Sequence, residues 1–296
     1  MLDTLVSAVA FGIILGSVIA IAAMGFTLQF GLTNLFNLSF GSVMTVGAFT
    51  AYLALANGIN AWYGLAVGGV AGAVLTLLLG RGLFRLYARR GAGLFEMVMV
   101  TLGLGLVINY VIQAISRNNI YQFSVLQAAP VHLGPVIITP TQAILVGCAV
   151  VVFVALEALL RLTKVGRALR AVAAEPSLAR SCGIRINRVV LITWGISGFL
   201  CGMGGVVYII NSQSVGYATG QLFLPLVIAA AILGGAGSPG GAIVAALLMG
   251  VVTEVVSAYG GPQYSTVAGF AILVVVLLCR PRSVLGGAAR EARLTL

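Results

Sequence analysis

The stretch SAVAFGIILGSVIAIAAMGFTL, residues 7–28, contains no charged residue over a length that can cross a lipid bilayer. The hydrocarbon core of a bilayer requires about 20 consecutive apolar residues in a helix. Inside lipid the backbone must satisfy its own hydrogen bonds, so an apolar run of this length favours a transmembrane helix. Similar runs recur along the chain, and we therefore predict a protein embedded in a membrane.

The composition of the whole chain supports this prediction. Hydrophobic residues make up 60% of the 296 residues and charged residues 7%, and the mean hydropathy is +1.14. Soluble domains carry about 25% charged residues. No block between the apolar runs is polar enough to fold in water, so we predict a single transmembrane domain over residues 1–296. The first residues carry an acid and no Lys or Arg, so the first run is expected to be retained and not cleaved as a signal peptide.

Nine apolar runs are candidates for membrane spans, and the seventh and ninth are short. They cover residues 7–28, 35–56, 62–79, 95–114, 141–160, 189–210, 222–233, 242–258 and 266–279. The predicted fold class is an all-α polytopic membrane protein with about 8–10 transmembrane helices. A re-entrant segment would change the count by one or two.

The formal net charge of +10 is concentrated in three clusters, residues 81–90, 161–188 and 280–293. Each cluster follows an apolar run, which is typical of the positive-inside rule and argues against nucleic-acid binding. An even number of runs separates successive clusters, so all three can face the cytoplasm. The C-terminus is then cytoplasmic and the N-terminus outside.

The sequence offers no constellation for catalysis or metal binding. The four cysteines, Cys148, Cys182, Cys201 and Cys279, stand singly and are interpreted as small apolar fillers. His132 is the only histidine, and we interpret it as a solvated loop residue. A phosphate-binding G-x-x-x-x-G-K-[ST] loop is also missing. We therefore expect neither an enzyme nor a bound cofactor or metal.

Two apolar stretches are interrupted by glycine and polar residues, at residues 31–41 and 234–241. Such interruptions mark either transport pathways or simple turns at the membrane face. We favour a turn for the second and leave both interpretations open for the first. The candidate pathway residues carry amide or hydroxyl groups that can replace water around a zwitterion, although Ser and Thr in helices often bond their own backbone. They are Asn34, Asn37, Ser39 and Thr101.

Three acids lie in or beside the apolar runs. Glu254 is inside the eighth run, where an ionisable side chain is costly. It is a pathway candidate that would attract an ammonium group, and a subunit contact or a position near the headgroups are the alternatives. Glu96 and Glu157 lie near helix ends and are expected to pair with nearby arginines.

The longest polar segment between two runs reads TKVGRALRAVAAEPSLARSCGIRINR, residues 163–188. A helix is predicted over residues 166–174, and the pair Glu175-Pro176 ends it and begins a second helix, because Pro and an acid both suit a first turn. Gly183 is predicted to end that helix in a left-handed conformation. The segment is either a rigid knob for a partner protein or a solvated loop, and both interpretations remain open.

At this point the residues resemble a known family, the permeases of branched-chain amino acid ABC importers, in particular their LivH-type subunit. The resemblance extends over nearly the whole chain. It is carried by GFTLQFGLTNLFNLSFG (25–41), GRALRAVAAEPSLARSCGIRINRV (166–189), ILGGAGSPGGAI (232–243) and YSTVAGFAILVVVLLCRPRSVLG (264–286). Phe40 and Leu226 depart from the family pattern, where many relatives have His and Lys, and leave the exact solute open.

The resemblance implies a bacterial inner-membrane permease for branched-chain or related small amino acids. It implies a second, homologous permease subunit, usually in a heterodimer, two cytoplasmic ABC ATPases and a periplasmic or extracellular solute-binding protein. ATP hydrolysis would then occur on another chain. Residues 161–188, called the coupling segment below, would contact the ATPase. The predicted coupling residues are Arg167, Arg170, Glu175, Pro176, Arg180 and Gly183.

Alternative functions remain. The chain could be an ABC permease for urea or short amides, or a secondary transporter driven by an ion gradient. A secondary transporter would require several intramembrane acids or histidines, and this chain offers essentially Glu254 alone. A membrane scaffold without a transport path is the third class.

Overall fold

The computed structural model describes residues 2–84, 93–123, 131–133, 136–235 and 237–279. Its helices match the apolar runs and the two helices of the polar segment. They are α1 (Leu2–Thr33), α2 (Phe40–Ala56), α3 (Tyr63–Leu79), α4 (Leu94–Ser116), α5 (Pro140–Leu162), α6 (Lys164–Ala174), α7 (Pro176–Ser181), α8 (Ile186–Ser212), α9 (Thr219–Gly234), α10 (Pro239–Gly260) and α11 (Ser265–Cys279). A π-helical turn, Gly80–Phe84, extends α3, and a 3₁₀ turn, Pro262–Tyr264, precedes α11.

The predicted all-α polytopic membrane fold is confirmed. Among the described residues, six helices are long and apolar enough to cross a membrane, namely α1, α3, α4, α5, α8 and α10. Helices α2 and α9 are apolar but shorter, and α11 has 15 described residues. Each of the nine predicted runs therefore coincides with a helix, as expected of a multi-pass membrane protein.

Four short strands lie in the connections between helices. β1 (Tyr121–Gln122) pairs with β4 (Ser214–Val215), and β2 (Val131–Leu133) pairs with β3 (Val136–Ile138), both antiparallel. The first pair draws together two connections that are distant in sequence. His132 lies in β2, and its side chain falls outside the described set, as do residues 85–90 and 280–293 of the basic clusters.

Contacts divide the chain into two compact units. The first unit combines Met1–Thr27, Leu126–Phe153 and Pro225–Leu296, and the second combines Leu28–Val125 and Val154–Leu224. Each unit is assembled from segments that are distant in sequence. The single transmembrane domain remains a prediction.

Glycine residues allow close helix packing in the second unit. A Cβ atom on Gly202 would clash with the carbonyl of Gly68, and one on Gly198 would clash with the carbonyl of Gly72. Only glycine allows α3 and α8 to approach this closely, which is how helices pack where lipid removes the hydrophobic drive. The Thr76 hydroxyl then donates to the carbonyl of Trp194, 2.9 Å away.

In the first unit, the glycine-rich stretch between α9 and α10 is the turn that we predicted. Ser238 caps α10 by accepting a hydrogen bond from the Gly241 amide at 3.2 Å, and Pro239 occupies its first turn. The Thr27 hydroxyl holds this turn, donating to the Gly235 carbonyl at 3.2 Å and accepting from the Gly237 amide at 3.0 Å. The turn is therefore fastened to α1.

Candidate functional site

The interruption between α1 and α2, residues 34–39, is called the polar break below. It begins at Asn34, whose φ of +52° is left-handed and whose amide bonds the Phe30 carbonyl at 2.8 Å. Asparagine tolerates this conformation at the end of a helix, and its side chain here is exposed. The helix end explains the residue type, and the pathway role of Asn34 remains a prediction.

Asn37 and Ser39 lie inside the second unit and are each 1% exposed. Asn37 Oδ1 accepts hydrogen bonds from the Ser39 amide at 3.1 Å and from the Ser39 hydroxyl at 2.6 Å. This local turn leads into α2 at Phe40 and explains why the helix starts later than the apolar run at residue 35. Two of the predicted pathway residues are thus in direct contact.

Gln29 on α1 completes this polar group, and sequence reasoning missed it. Its Oε1 atom accepts from Asn37 Nδ2 at 3.4 Å and from the Ser197 hydroxyl on α8 at 3.1 Å. The side chains of Gln29 and Ser197 are both buried. The available signal was an amide at the end of a long apolar run, since polar groups at such positions are costly and usually have a role.

Thr101 on α4 braces the polar break from another side. Its hydroxyl accepts from the Leu38 amide at 3.2 Å and donates to the Val98 carbonyl at 2.8 Å. One turn further, the Ser42 hydroxyl donates to the Gly105 carbonyl at 2.7 Å. Asn37, Ser39 and Thr101 therefore converge on one segment, while Thr101 also bonds its own helix, and their role in a pathway remains a prediction.

Glu254 lies on α10 in the first unit, and its side chain is half-buried. Its predicted role remains a prediction. Glu157 forms an ion pair with Arg161 one turn along α5, as expected from the sequence. Among the described residues, no group of three or more His, Cys, Asp or Glu is placed to hold a metal ion.

The coupling segment forms the predicted pair of helices, α6 and α7. Glu175 between them is extended, with φ −150°, and Pro176 is the first residue of α7. Gly183 follows α7 with φ +80°, the left-handed conformation that glycine adopts most easily. The local structure predicted from Glu175, Pro176 and Gly183 is confirmed.

The coupling segment is an ordered element and not a loose loop. Leu169, Val172 and Ala179 form a buried apolar cluster with Val189 of α8. Leu160, Ile184 and Ile186 pack against this cluster. The buried contacts fasten the helix pair to the start of α8, which favours the rigid knob over the solvated loop.

The junction of α5 and α6 is a close contact that depends on Gly166. A Cβ atom at Gly166 would clash with the carbonyls of Leu159 and Leu160. The Thr163 hydroxyl caps α6 by accepting from the Gly166 amide at 3.1 Å, and it donates to the Leu159 carbonyl at 2.6 Å. Arg170 donates from Nη1 to the Leu160 carbonyl, so this predicted coupling residue also closes the end of α5.

The outer face of the pair carries the other predicted coupling residues. Arg167, Glu175 and Arg180 are exposed, and the Ser177 hydroxyl donates to a Glu175 carboxylate oxygen at 2.8 Å. Leu178, at the centre of α7, is 63% exposed, and sequence reasoning missed it. Cys182 is exposed as well, so its interpretation as an apolar filler was wrong, whereas Cys201 is buried.

The chain is similar in sequence to known transport proteins. The model of the family described as branched-chain amino acid transport system, permease component, matches residues 8–277. The high-affinity branched-chain amino acid transport system permease protein LivH of Escherichia coli K12 is 28% identical, covering 93% of this chain and 93% of that protein. The probable branched-chain amino acid transport permease protein LivH of Methanocaldococcus jannaschii is 30% identical, covering 93% and 90%.

The relatives also include a permease for another solute. The ribose import permease protein RbsC of Escherichia coli K12 is 27% identical, covering 88% of this chain and 82% of that protein. The family match nevertheless spans residues 8–277, far more than half of the chain. This chain therefore belongs to the family of permease components of branched-chain amino acid transport systems.

Proposed function

We propose that this chain is the membrane-spanning subunit through which an ABC importer moves branched-chain or related small amino acids into the cell. The observation that carries the proposal is the ordered helix pair α6–α7, which joins two membrane-spanning helices and exposes Leu178 among charged residues. A short helix that packs firmly against the helix bundle can transmit a movement of a bound partner to the membrane helices. A chain that only spanned the membrane would not need one.

The proposed partners are those that the family resemblance implies. In the proposed complex, the coupling segment faces the cytoplasm and contacts one of two ABC ATPases through Arg167, Glu175 and Arg180. A second permease subunit, most simply a homologue, completes the pathway, and an external solute-binding protein delivers the amino acid. ATP is hydrolysed on the ATPase, and this chain contributes no catalytic residue.

The amino-acid substrate is supported by the relatives and by the chemistry of the polar break. The named LivH proteins are branched-chain amino acid permeases, and their similarity covers nearly the full length of both chains. The amide and hydroxyl groups of Asn37, Ser39 and Thr101 lie among apolar side chains. Such a mixture suits a zwitterion with an aliphatic side chain. The neutral amide and hydroxyl groups can replace the water around its charged groups, and the apolar residues can contact its side chain.

Transport would then proceed by alternating access. When the ATPases close on ATP, they move α7, and the packed cluster around Leu169 and Val189 transmits that movement to α8. The α5–α6 junction at Gly166 moves as one piece with it, because close backbone contact leaves no room for independent motion. The polar break, held by Gln29 and Thr101, would change its exposure between the two membrane faces.

Reconstitution tests the proposal directly. The permease is placed in proteoliposomes with its partner permease, ATPases and binding protein, and uptake of radiolabelled leucine is followed. We expect uptake that requires ATP and stops when an ATPase with a disabled catalytic glutamate is substituted.

Two other results would change the assignment. Leucine uptake that follows an ion gradient without ATP would refute the importer. ATP-driven uptake of urea or a short amide, with none of leucine, would keep the importer and replace the solute.

A further inference from the structure

We propose that Gln29 is a positioning residue that links α8 to the polar break, so that movement of the coupling segment is passed to Asn37 and Ser39. This inference rests on the proposed function. Gln29 contacts the break and α8 with the same side-chain amide, and neither the sequence pattern nor the family resemblance singled it out.

The Oε1 atom of Gln29 contacts two structural elements, the polar break and α8. Gln29 Oε1 accepts hydrogen bonds from Asn37 Nδ2 in the break, at 3.4 Å, and from the Ser197 hydroxyl on α8, at 3.1 Å. All three side chains are buried, so water does not substitute for a lost bond easily. A shift of Ser197 must therefore change the position of the Gln29 amide, and with it the support of Asn37.

Helix α8 runs without interruption from the coupling segment to Ser197. Val189, near the start of α8, belongs to the buried cluster that holds α6 and α7. Ser197 lies about two turns further along the same helix. A displacement imposed on α7 can therefore reach Ser197 through a packed cluster and a rigid helix, a contiguous physical route of the kind that energetic coupling needs.

The nitrogen atom of the Gln29 side-chain amide, Nε2, is a second polar group at this contact. Gln29 Nε2 is buried and donates to no acceptor in the described part of the chain. A buried donor without an acceptor costs free energy. Bringing an acceptor to Nε2 would therefore be favourable. An acceptor that approaches Nε2 when α8 moves would therefore be bound by Gln29, so the same side chain can respond to that movement.

The test measures coupling and not activity alone. Gln29→Met, Ser197→Ala and the double variant are prepared in the complete importer, and leucine uptake and ATP hydrolysis are measured in the same proteoliposomes. We expect each single variant to keep its ATPase activity and to transport roughly fivefold less leucine per ATP, the size of effect that loss of one buried hydrogen bond produces. The double variant should be no worse than Gln29→Met, because both changes act on one joint.

Two further variants separate this role from packing. Thr193→Val removes a buried hydroxyl of the same helix, whose hydrogen bond within the described residues is to the Val189 carbonyl of that helix at 2.9 Å, and should leave the leucine-to-ATP ratio unchanged. Gln29→Glu retains the side-chain length and the oxygen that accepts from Asn37 and Ser197 but removes the Nε2 donor, so it should lose less coupling than Gln29→Met. It also keeps the test available if Gln29→Met does not assemble.

The inference is overturned if the Gln29 and Ser197 variants lose uptake and ATPase activity in parallel, if their ratio stays at the wild-type value, or if the losses multiply in the double variant. Failure of the underlying proposal looks different. In that case the wild-type importer itself shows no ATP-driven uptake of leucine, whatever residue occupies position 29.

Discussion

Single residues explain several features that a sequence pattern presents only as composition. Asn34 is an asparagine because α1 ends there in a left-handed conformation, and Gly183 is a glycine for the same reason after α7. Gly166 is a glycine for a different reason, the closeness of the Leu159 and Leu160 carbonyls. Substitution of Gly166 has the larger consequence, because a clash with backbone atoms cannot be relieved by a change of side-chain rotamer.

Gly166→Ala is accordingly expected to damage the importer. The added methyl group would force α6 away from the end of α5 and break the hydrogen bond between Arg170 and the Leu160 carbonyl. Overpacking of this kind costs about 1–3 kcal/mol. A lower apparent unfolding temperature of the purified permease, together with reduced ATP-dependent uptake, would be the measured result.

Gly147→Ala is the matched control for that substitution. Gly147 lies on α5, the other helix of that junction, but a Cβ atom there would meet no neighbouring atom of the described residues within 4 Å. The control should be neutral or slightly stabilising, because alanine favours helix more than glycine does. Equal unfolding temperatures for the two alanine variants would contradict the close contact at Gly166.

At the level of elements, the coupling segment combines a buried side with an exposed side. Leu169, Val172 and Ala179 fix the pair to α8, so α6 and α7 do not depend on a partner for their order. The exposed side presents Leu178, whose burial by a partner would remove apolar surface from water. Stability and docking are therefore carried by different residues and can be tested separately.

Leu178→Asp should weaken the docking and leave the fold intact. Burying a leucine side chain contributes about 1.5–3 kcal/mol, so the affinity of the permease for its ATPase should fall by roughly tenfold or more. The unfolding temperature of the isolated permease should not change, because Leu178 lies outside the buried cluster. Co-purification of a tagged ATPase measures the loss.

The control for this experiment is Ala173→Asp, which adds the same charge at an exposed position of α6. It should retain the ATPase to the wild-type extent if docking is centred on α7. Full retention of the ATPase by Leu178→Asp would instead show that the partner binds elsewhere.

For the whole molecule, orientation in the membrane is the property on which the proposed function depends most. Cys182 provides a probe, because it is exposed in the coupling segment, whereas Cys148 is half-buried on α5 and Cys201 is buried on α8. In a Cys279→Ser background, a membrane-impermeant maleimide should label the permease in inside-out vesicles and not in right-side-out vesicles, and the additional change Cys182→Ser should abolish the labelling. Labelling of Cys182 only from the outside would defeat the assignment of a cytoplasmic partner.

Local signals were sufficient for much of this protein. The apolar runs predicted the nine apolar helices of the described residues, six of which are long enough to cross a membrane, because the thickness of the bilayer sets the length that a span requires. Pro176 and Gly183 predicted the bounds of α7, because each restricts or permits a backbone angle at its own position. Asn37, Ser39 and Thr101 were selected for their chemistry, and they do converge on one segment.

The remaining features depend on contacts between distant residues, which no local pattern contains. Gln29 and Ser197 are separated by most of the chain, and only the tertiary contact between these two side chains makes one amide serve both α8 and the polar break. The clash that requires Gly166 and the exposure of Leu178 likewise arise from how α6 and α7 fold back on their neighbours. Helix formation follows from the hydropathy and backbone preferences of neighbouring residues, whereas the sharing of buried polar groups follows from three-dimensional packing.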